Sequence, residues 1–413
     1  MEQESKWLTD KYWLTPYNFD EEVRKQFTLP ERVFIHDVTL REASQSPRVC
    51  LLGQEKLRIA RALDELGVDS LEIGPYFSNE EKEVTQELVK MHRRGEIKAK
   101  VTPLSHWTEK DVDLVLECGA DRVIISHNVN PWSTKQAFGI DEDELIKRLT
   151  RVVAYAKKNG LFTVIQTFDT YKVPMKFLER LEKSLVYEGG ADHVAISDTY
   201  GFALPWTVTH VVRKLRSWIP GIPIEHHGHN DFGLATAMML AAVVGGVEVV
   251  HTSVNNLGER VGNAATEEVA MALELLLGVK TGIQLHRIYP VCQLVSELSK
   301  MPIARNKPIT GENEFLFGSG LVIWRIWQLA KKGRPFATMP FMPEVIGKKG
   351  YEVIFGVGTG KAVVRDRLEK MGISATEEQT AEIVQRIKAE AYIRKSSVPD
   401  FEFEEIVKNV IGK

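Results

Sequence analysis

The sequence predicts a (β/α)8 barrel of the TIM type followed by a C-terminal helical region. Three observations carry the prediction. Between residues 31 and 285, eight short β-rich runs alternate with amphipathic stretches of helical period. The repeat is roughly 30 residues, the length of one βα unit. Polar, chemistry-bearing residues gather just past the runs, where such barrels place their active sites.

The runs are VFIHDVTL (33–40), VDSLEIG (68–74), KAKVTPL (98–104), DRVIISH (121–127), LFTVIQTF (161–168), DHVAISDT (192–199), IPIEHHGH (222–229) and VEVVHTSV (247–254). Between them lie stretches such as GQEKLRIARALDELG (53–67), apolar at helical spacing and closed by glycine. A doubly wound sheet would have fewer parallel strands and a glycine-rich first βα turn; the sequence contains no G-x-G-x-x-G. Residues 1–30 have no clear period and are expected to form an arm on another surface. Residues 286–413 are expected to form a helical linker and dimerisation region, with a helix beginning at Ile288 and a Gly- and Pro-rich loop at 302–320. LVIWRIWQLAKKGR (321–334) follows; its Trp324 and Trp327 share a helical face and are read as core or dimer packing. The last stretch, 361–395, reads as two helices split at MGIS, with Ser374 as N-cap and Glu377 three residues on.

The composition is that of an ordinary globular protein: 413 residues, 44% hydrophobic, 26% charged. A net charge of −3 argues against a surface built for nucleic acid or acidic membranes. Cys50, Cys118 and Cys292 lack C-x-x-C spacing, which fits a reducing compartment without disulfides or a zinc knuckle. MEQESKWLTDKYW has no apolar core, and the longest apolar run (238–250) is too short to span a bilayer and contains Glu248. A cytoplasmic protein is expected.

HHGHND (226–231) holds three of the eleven histidines in four positions. Alternate strand residues share a face, so His227 and His229 point together and His226 points away. With Asp37 arriving from strand one, the two imidazoles make a mixed nitrogen and oxygen site suited to Mn, Mg, Zn, Co or Fe(II). A lone strand histidine is more often structural, and His226 is assigned to packing or to a contact behind the ligands. Arg41 cannot lose its proton and is therefore no base. It either holds an oxyanion or carboxylate, or forms a salt bridge to Glu42 or Glu72. Thr199 either donates to a substrate carboxylate or caps the next helix. His106, His127 and Lys172 stand after strands three, four and five. Each is a candidate general base, and equally a loop residue bonded to backbone.

DVTLREASQ (37–45) resembles the D-x-T-L-R-[DE]-x-x-Q opening of the DRE-TIM metallolyase superfamily, whose members include 2-isopropylmalate, homocitrate and citramalate synthases and HMG-CoA lyase. HGHNDFGLA (227–235), SDTYG (197–201) and NNLGERVGNAATEEVAMAL (255–273) resemble its later motifs, in order, across residues 33–285. The resemblance implies a divalent metal (Mn, Mg, Zn or Co) on Asp37, His227, His229 and Asn263. It implies chelation of a 2-oxo acid, with Arg41 polarising its keto oxygen, Thr199 binding its carboxylate and Glu72 lining the pocket. Arg41, Glu72, Thr199 and Glu259 are the expected catalytic residues; Arg41, Gln45, Thr199, His106 and Lys172 are the expected substrate contacts. Acyl-CoA is the expected co-substrate, in a homodimer or higher homo-oligomer.

Ser197 stands where the biotin-dependent branch has a carboxylated lysine, and the loop NNLGERVGN lacks the cysteine of the lyase branch. Glu259 and Arg260 match the synthases. GENEFLFGSGL (311–321) resembles the synthase segment G-E-N-x-F-x-H-E-S-G-I-H, with Phe317 and Val322 at its two histidine positions. Val357 replaces the lysine of a G-K-H-S-G-R segment, which also lacks its histidine. The expected function is a metal-dependent Claisen-type condensation of an acyl-CoA with a 2-oxo acid. The alternatives are a C–C lyase, aldolase or decarboxylase using the same metal without CoA, and a non-catalytic regulator on the same barrel.

Overall fold

The computed structural model describes residues 5–412. Eight parallel strands close into a barrel in sequence order: β1 (Phe34–Asp37), β2 (Ser70–Ile73), β3 (Lys100–Ser105), β4 (Arg122–Asn128), β5 (Phe162–Phe168), β6 (His193–Asp198), β7 (Ile224–Gly228) and β8 (Val249–Thr252). Closure brings Asp37 opposite Thr252. Each strand falls where the sequence placed a β-rich run. The amphipathic stretches between them are helices, and Gly67 ends the helix Gly53–Leu66 in the left-handed conformation (φ 98°).

The chain forms two compact units: Tyr17–Ile303, and Ala304 onward together with the segment ending at Pro16. The division lies later than the expected one after residue 285. The helix Ile288–Ser299 buries Val291, Cys292 and Val295, and the Cys292 carbonyl accepts a hydrogen bond from Asn255 Nδ2 at 2.7 Å. That apolar face belongs to the barrel unit. The expected 1–30 arm divides as well, the part beyond Pro16 going with the barrel; Met1 to Glu4 lie outside the described residues.

In the second unit, the helices Gly320–Ala330, Lys361–Lys370, Glu377–Arg394 and Asp400–Ile411 enclose a core of Ile323, Phe355, Val364, Ile383, Ile387 and Phe403. The Phe355 and Phe403 rings stack with centroids 4.1 Å apart. Trp327 packs against this core while Trp324 stays 47% exposed. The cap of the helix Glu377–Arg394 is Thr376, not Ser374. Its hydroxyl accepts from Gln379 N–H and Gln379 Oε1 accepts from Thr376 N–H, so the T-x-x-Q pair forms the box two residues later than expected. No helix among the described residues is long and apolar enough to cross a membrane.

The barrel interior departs from the usual layers of branched aliphatics. Across it runs a buried set of imidazoles and carboxylates. His36 Nε2 lies 2.8 Å from Glu72 Oε2, His251 Nε2 lies 2.7 Å from Glu225 Oε2, and His193 Nδ1 lies 2.7 Å from Glu225 Oε1. Burial alone would push Glu225 up, but its two imidazole partners hold it far below the usual carboxylate range.

Glu182, on the helix Met175–Tyr187 behind β5, is the opposite case. Fully buried, with only the Thr167 hydroxyl donating to it at 2.9 Å, it is pushed up to about 8. The fold therefore keeps it neutral, whereas the unfolded chain ionises it above its ordinary value of 4.5. The contribution of Glu182 to stability is fully present below that value and is lost as pH rises towards 8, at most by about 1.4 kcal/mol per unit. Glu182→Gln is expected to flatten the decline. Urea midpoints at pH 5 and pH 8 check this, and parallel pH dependences in the two proteins would refute it.

Candidate metal centre and active-site cavity

The chemistry-bearing side chains of β1, β6, β7 and the loop after β8 meet at the C-terminal mouth of the barrel. β1 passes at once into a short buried helix, Thr39–Ala43, which places Arg41 and Glu42 inward on adjacent positions. Lys56, almost wholly buried, supports that turn. Its ammonium donates to the Leu40 carbonyl (3.0 Å) and Ser44 Oγ (2.6 Å) and pairs with Glu81.

Arg41 is held on three sides. Nε donates to Glu72 Oε1, and one terminal nitrogen donates to Glu42 Oε1 and to Gln45 Oε1. The other terminal nitrogen has no hydrogen-bond partner among the described residues. The salt-bridge alternative for Arg41 holds: it is paired with Glu42 and Glu72, and it also faces the cavity. Burial would raise Glu72, but Arg41 and His36 outweigh it and hold the carboxyl down to about 2. Glu72 does not line the cavity as expected. It is a fixed anion behind Arg41.

Among the described residues, two groups of three side chains bring metal-binding atoms together: Glu42, His227 and His229, and His36, Glu72 and His251. In the second, His36 already bonds to Glu72, and the Arg41 guanidinium supplies the cation. The first fits a metal. His227 Nε2 and His229 Nε2 are 3.4 Å apart, and two nitrogens about 2.0–2.1 Å from one tetrahedral ion lie roughly that far apart. Glu42 Oε1 is 3.7 Å from His227 Nε2. Burial lowers both imidazoles, and for His227 the neighbouring His229 and Arg41 lower it further, which favours the neutral form that binds a metal. Asn263 Oδ1 is buried without a partner, its residue bridged to His229.

Asp37, expected as a ligand, belongs to neither group of three. Its carboxylate accepts from Thr39 N–H at 2.9 Å and from the Thr266 hydroxyl at 3.2 Å. Burial pushes it up to about 6 against those bonds. The Asp37–Thr39 pair ties the first βα turn to the segment after β8, where Thr39 Oγ1 accepts from Val254 N–H at 2.9 Å. The carboxylate grouped with His227 and His229 is that of Glu42, five residues later, in the R-[DE] part of the same motif.

The loop after β8 closes the cup. Glu259 N–H donates to Glu42 Oε2 at 2.9 Å. Arg260, at φ 60°, pairs with Asp231 (Nε–Oδ1 2.8 Å) and donates to the Thr199 carbonyl at 2.6 Å. Two glycines permit this fold-back. A Cβ on Gly258 would lie 2.2 Å from Asn263 Nδ2 and 2.8 Å from Glu42 Oε2, and one on Gly262 would lie 1.5 Å from the Asn256 carbonyl.

A cavity of about 220 Å³ opens above the cup, lined by Arg41, Gln45, Tyr76, Leu104, His106, Ser126, Gln166, Phe168, Ser197, Thr199, His227, His229 and Glu259. Thr199 Oγ1 accepts from Asp169 N–H at 2.7 Å, which leaves its own proton free to point into the cavity. Glu259 stands half-exposed at the rim. Lys172 does not line the cavity. Its ammonium is 3.3 Å from Asp169 Oδ1 and 3.7 Å from the centre of the Tyr200 ring, because Asp169 adopts φ 64° and turns the short helix Thr170–Lys172 aside. His127 is stacked on Trp107 at 3.8 Å, lowered to about 4 by burial, and is no lining residue either. His226, as expected, packs away from the cup, 3.0 Å from the Tyr171 hydroxyl. Tyr76, Gln166 and Phe168 escaped the sequence reading, since aromatic and amide residues in apolar runs carry no signal that separates lining from core.

A closed eight-stranded barrel with two histidines and a carboxylate grouped at its mouth defines a TIM-barrel protein with a candidate metal centre. Residues 32–295 match the HMGL-like family model, and residues 309–395 match the homocitrate synthase post-HMGL domain-like model. The chain belongs to the HMGL-like family of the DRE-TIM superfamily, in its 2-isopropylmalate and homocitrate synthase-like branch. It is 35% identical to a 2-isopropylmalate synthase of Methanocaldococcus jannaschii over 96% of this chain and 76% of that one. It is 34% identical to the homocitrate synthase AksA of Methanopyrus kandleri over 94% and 95%, and 34% identical to the (R)-citramalate synthase CimA of M. jannaschii over 92% and 75%. The hydroxymethylglutaryl-CoA lyase of Pseudomonas aeruginosa shares the fold, with a TM-score of 0.58 over 67% of this chain and 95% of that one at 19% identity.

Glu42→Gln is expected to weaken Mn(II) binding by about 100-fold, and Asp37→Asn by no more than about tenfold. Titration calorimetry on the two purified variants checks the order; equal losses would return Asp37 to the ligand set.

Proposed function

We propose that this chain joins an acyl-CoA to a 2-oxo acid in a divalent-metal-dependent, Claisen-type condensation. The observation that carries this reading is the convergence, in one cavity, of the Glu42–His227–His229 cup, the unpartnered nitrogen of Arg41 and the free hydroxyl proton of Thr199. Synthases similar along more than nine-tenths of the chain support it.

Glu42, His227 and His229 would hold the ion, with Asn263 Oδ1 beside them. When bound, the ion supplies Lewis acidity and a template for a chelating 2-oxo acid. Thr199 donates to the acceptor's carboxylate. Arg41 donates its remaining nitrogen to the keto oxygen, where negative charge develops as the carbon bond forms. Its other donors are fixed by Glu72, Glu42 and Gln45, so it is oriented before substrate arrives and reorganises little. Glu259, the rim carboxylate, takes the proton from the α-carbon of the acyl group. Water then cleaves the thioester, releasing free CoA.

A second reading, a C–C lyase, aldolase or decarboxylase without CoA, is favoured by Phe317 and Val322. Phe317 is spent on packing in the helical unit, edge-on to Tyr351 at 5.7 Å.

The test is a free-thiol assay with Mn(II) or Mg(II), acetyl-CoA and a panel of 2-oxo acids. CoA release dependent on one acceptor is expected, lowered about 100-fold or more in Arg41→Lys and in Glu259→Gln. Metal-loaded protein that releases no CoA from acetyl-, propionyl- or other acyl-CoA donors, but cleaves a 2-oxo or 3-hydroxy acid, would establish the second reading.

A further inference from the structure

Resting on the 2-oxo acid reading above, we infer that the acceptor is a monocarboxylic 2-oxo acid with an uncharged side chain, and that Leu104, Phe168 and Gln166 select it. The acceptor's carboxylate and keto group face the cup, Arg41 and Thr199. Its side chain is left to the wall built by the ends of β3, β4 and β5. The floor of that wall is apolar. Leu104 packs with Ile124, Val164 and Ala195, and Tyr76 closes against the same cluster. Phe168 ends β5 and faces the cavity. Ser126 and Gln166 carry no charge, and Gln166 Nε2 donates to Ser197 Oγ at 3.1 Å. His106, at the exposed rim, lies against Tyr76 with ring centroids 4.3 Å apart.

A second carboxylate, as in oxaloacetate or 2-oxoglutarate, would need a counter-charge on this wall. Arg41 is the one lysine or arginine lining the cavity among the described residues, and it already faces two carboxylates and the keto position. Lys172 is held by Asp169 and by the faces of Tyr200 and Phe202. Arg260 is held by Asp231 and the Thr199 carbonyl. A carboxylate desolvated against Leu104 and Phe168 would be an unpaired buried charge, the most costly group to place there. A methyl, ethyl or isopropyl group meets apolar surface instead, and each methylene adds contact.

The test is titration calorimetry of the full-length, Mn(II)-loaded protein with pyruvate, 2-oxobutyrate, 2-oxoisovalerate, oxaloacetate and 2-oxoglutarate, with no thioester present. At least one neutral-side-chain acid is expected to bind roughly 100-fold more tightly than either dicarboxylic acid. Phe168→Arg, at a partly exposed strand end, is expected to bring 2-oxoglutarate within about tenfold of the best acceptor, with the circular dichroism spectrum unchanged. Equal or tighter binding of oxaloacetate or 2-oxoglutarate by the unaltered protein would overturn the inference and leave the condensation standing. Selective binding of the neutral acids without CoA release in the thiol assay would support the inference and refute the condensation. Binding of none of the five would overturn both.

Discussion

The Arg41 guanidinium, buried between Glu72 and Glu42, is the interaction on which the mouth of the barrel depends. One cation is shared by two carboxylates, and each carboxylate has a second task. Glu72 also receives His36, and through it belongs to the polar set that crosses the barrel. Glu42 also receives Glu259 N–H and faces His227. Removing the guanidinium would leave two buried anions facing each other, a far larger penalty than the loss of one surface pair. The short helix after β1, the buried Lys56 beneath it and the fold-back of the loop after β8 serve to hold this one group.

The polar barrel interior follows from the same constraint. A charge at the mouth of an aliphatic barrel would be poorly screened, and its geometry would rest on packing alone. Here Glu72 bonds to His36, and Glu225 bonds to His193 and His251. The hydrogen bonds fix side-chain directions more tightly than branched aliphatics can. The cost is the desolvation of several ionisable groups, which is tolerable because nearly every one has a partner.

Much of this was legible in the sequence. The eight strands stood out because runs of Val, Ile and Thr between glycine-capped amphipathic stretches have few other readings, and H-x-H at a strand end put two imidazoles on one face. What escaped was decided by the backbone beyond the strands. Asp37 and Glu42 are both acidic and both near the end of β1, and only the immediate helical turn after β1 brings Glu42 beside His227 and His229. Lys172 looked available until Asp169 was seen at a left-handed φ. Ser374 and Thr376 are equally good caps on paper, and Gln379 selects between them. The helix at Ile288 reads alike in either unit, because its apolar stripe does not say what it will cover.

The circumference of the barrel is divided between two tasks. The groups that the proposed condensation uses come from β1, β6, β7 and the loop after β8, bound to one another by Arg260, Glu259 and the Asp37–Thr266 contact. The wall left to the acceptor comes from β3, β4 and β5, and its side chains make few bonds to the first set. Leu104 and Phe168, whose side chains make no hydrogen bond to that set, can be replaced without breaking a bond at the proposed reaction centre, whereas Gln166 is tied to it through Ser197. A lineage can explore new acceptors by changing residues at a few strand ends without passing through an inactive protein.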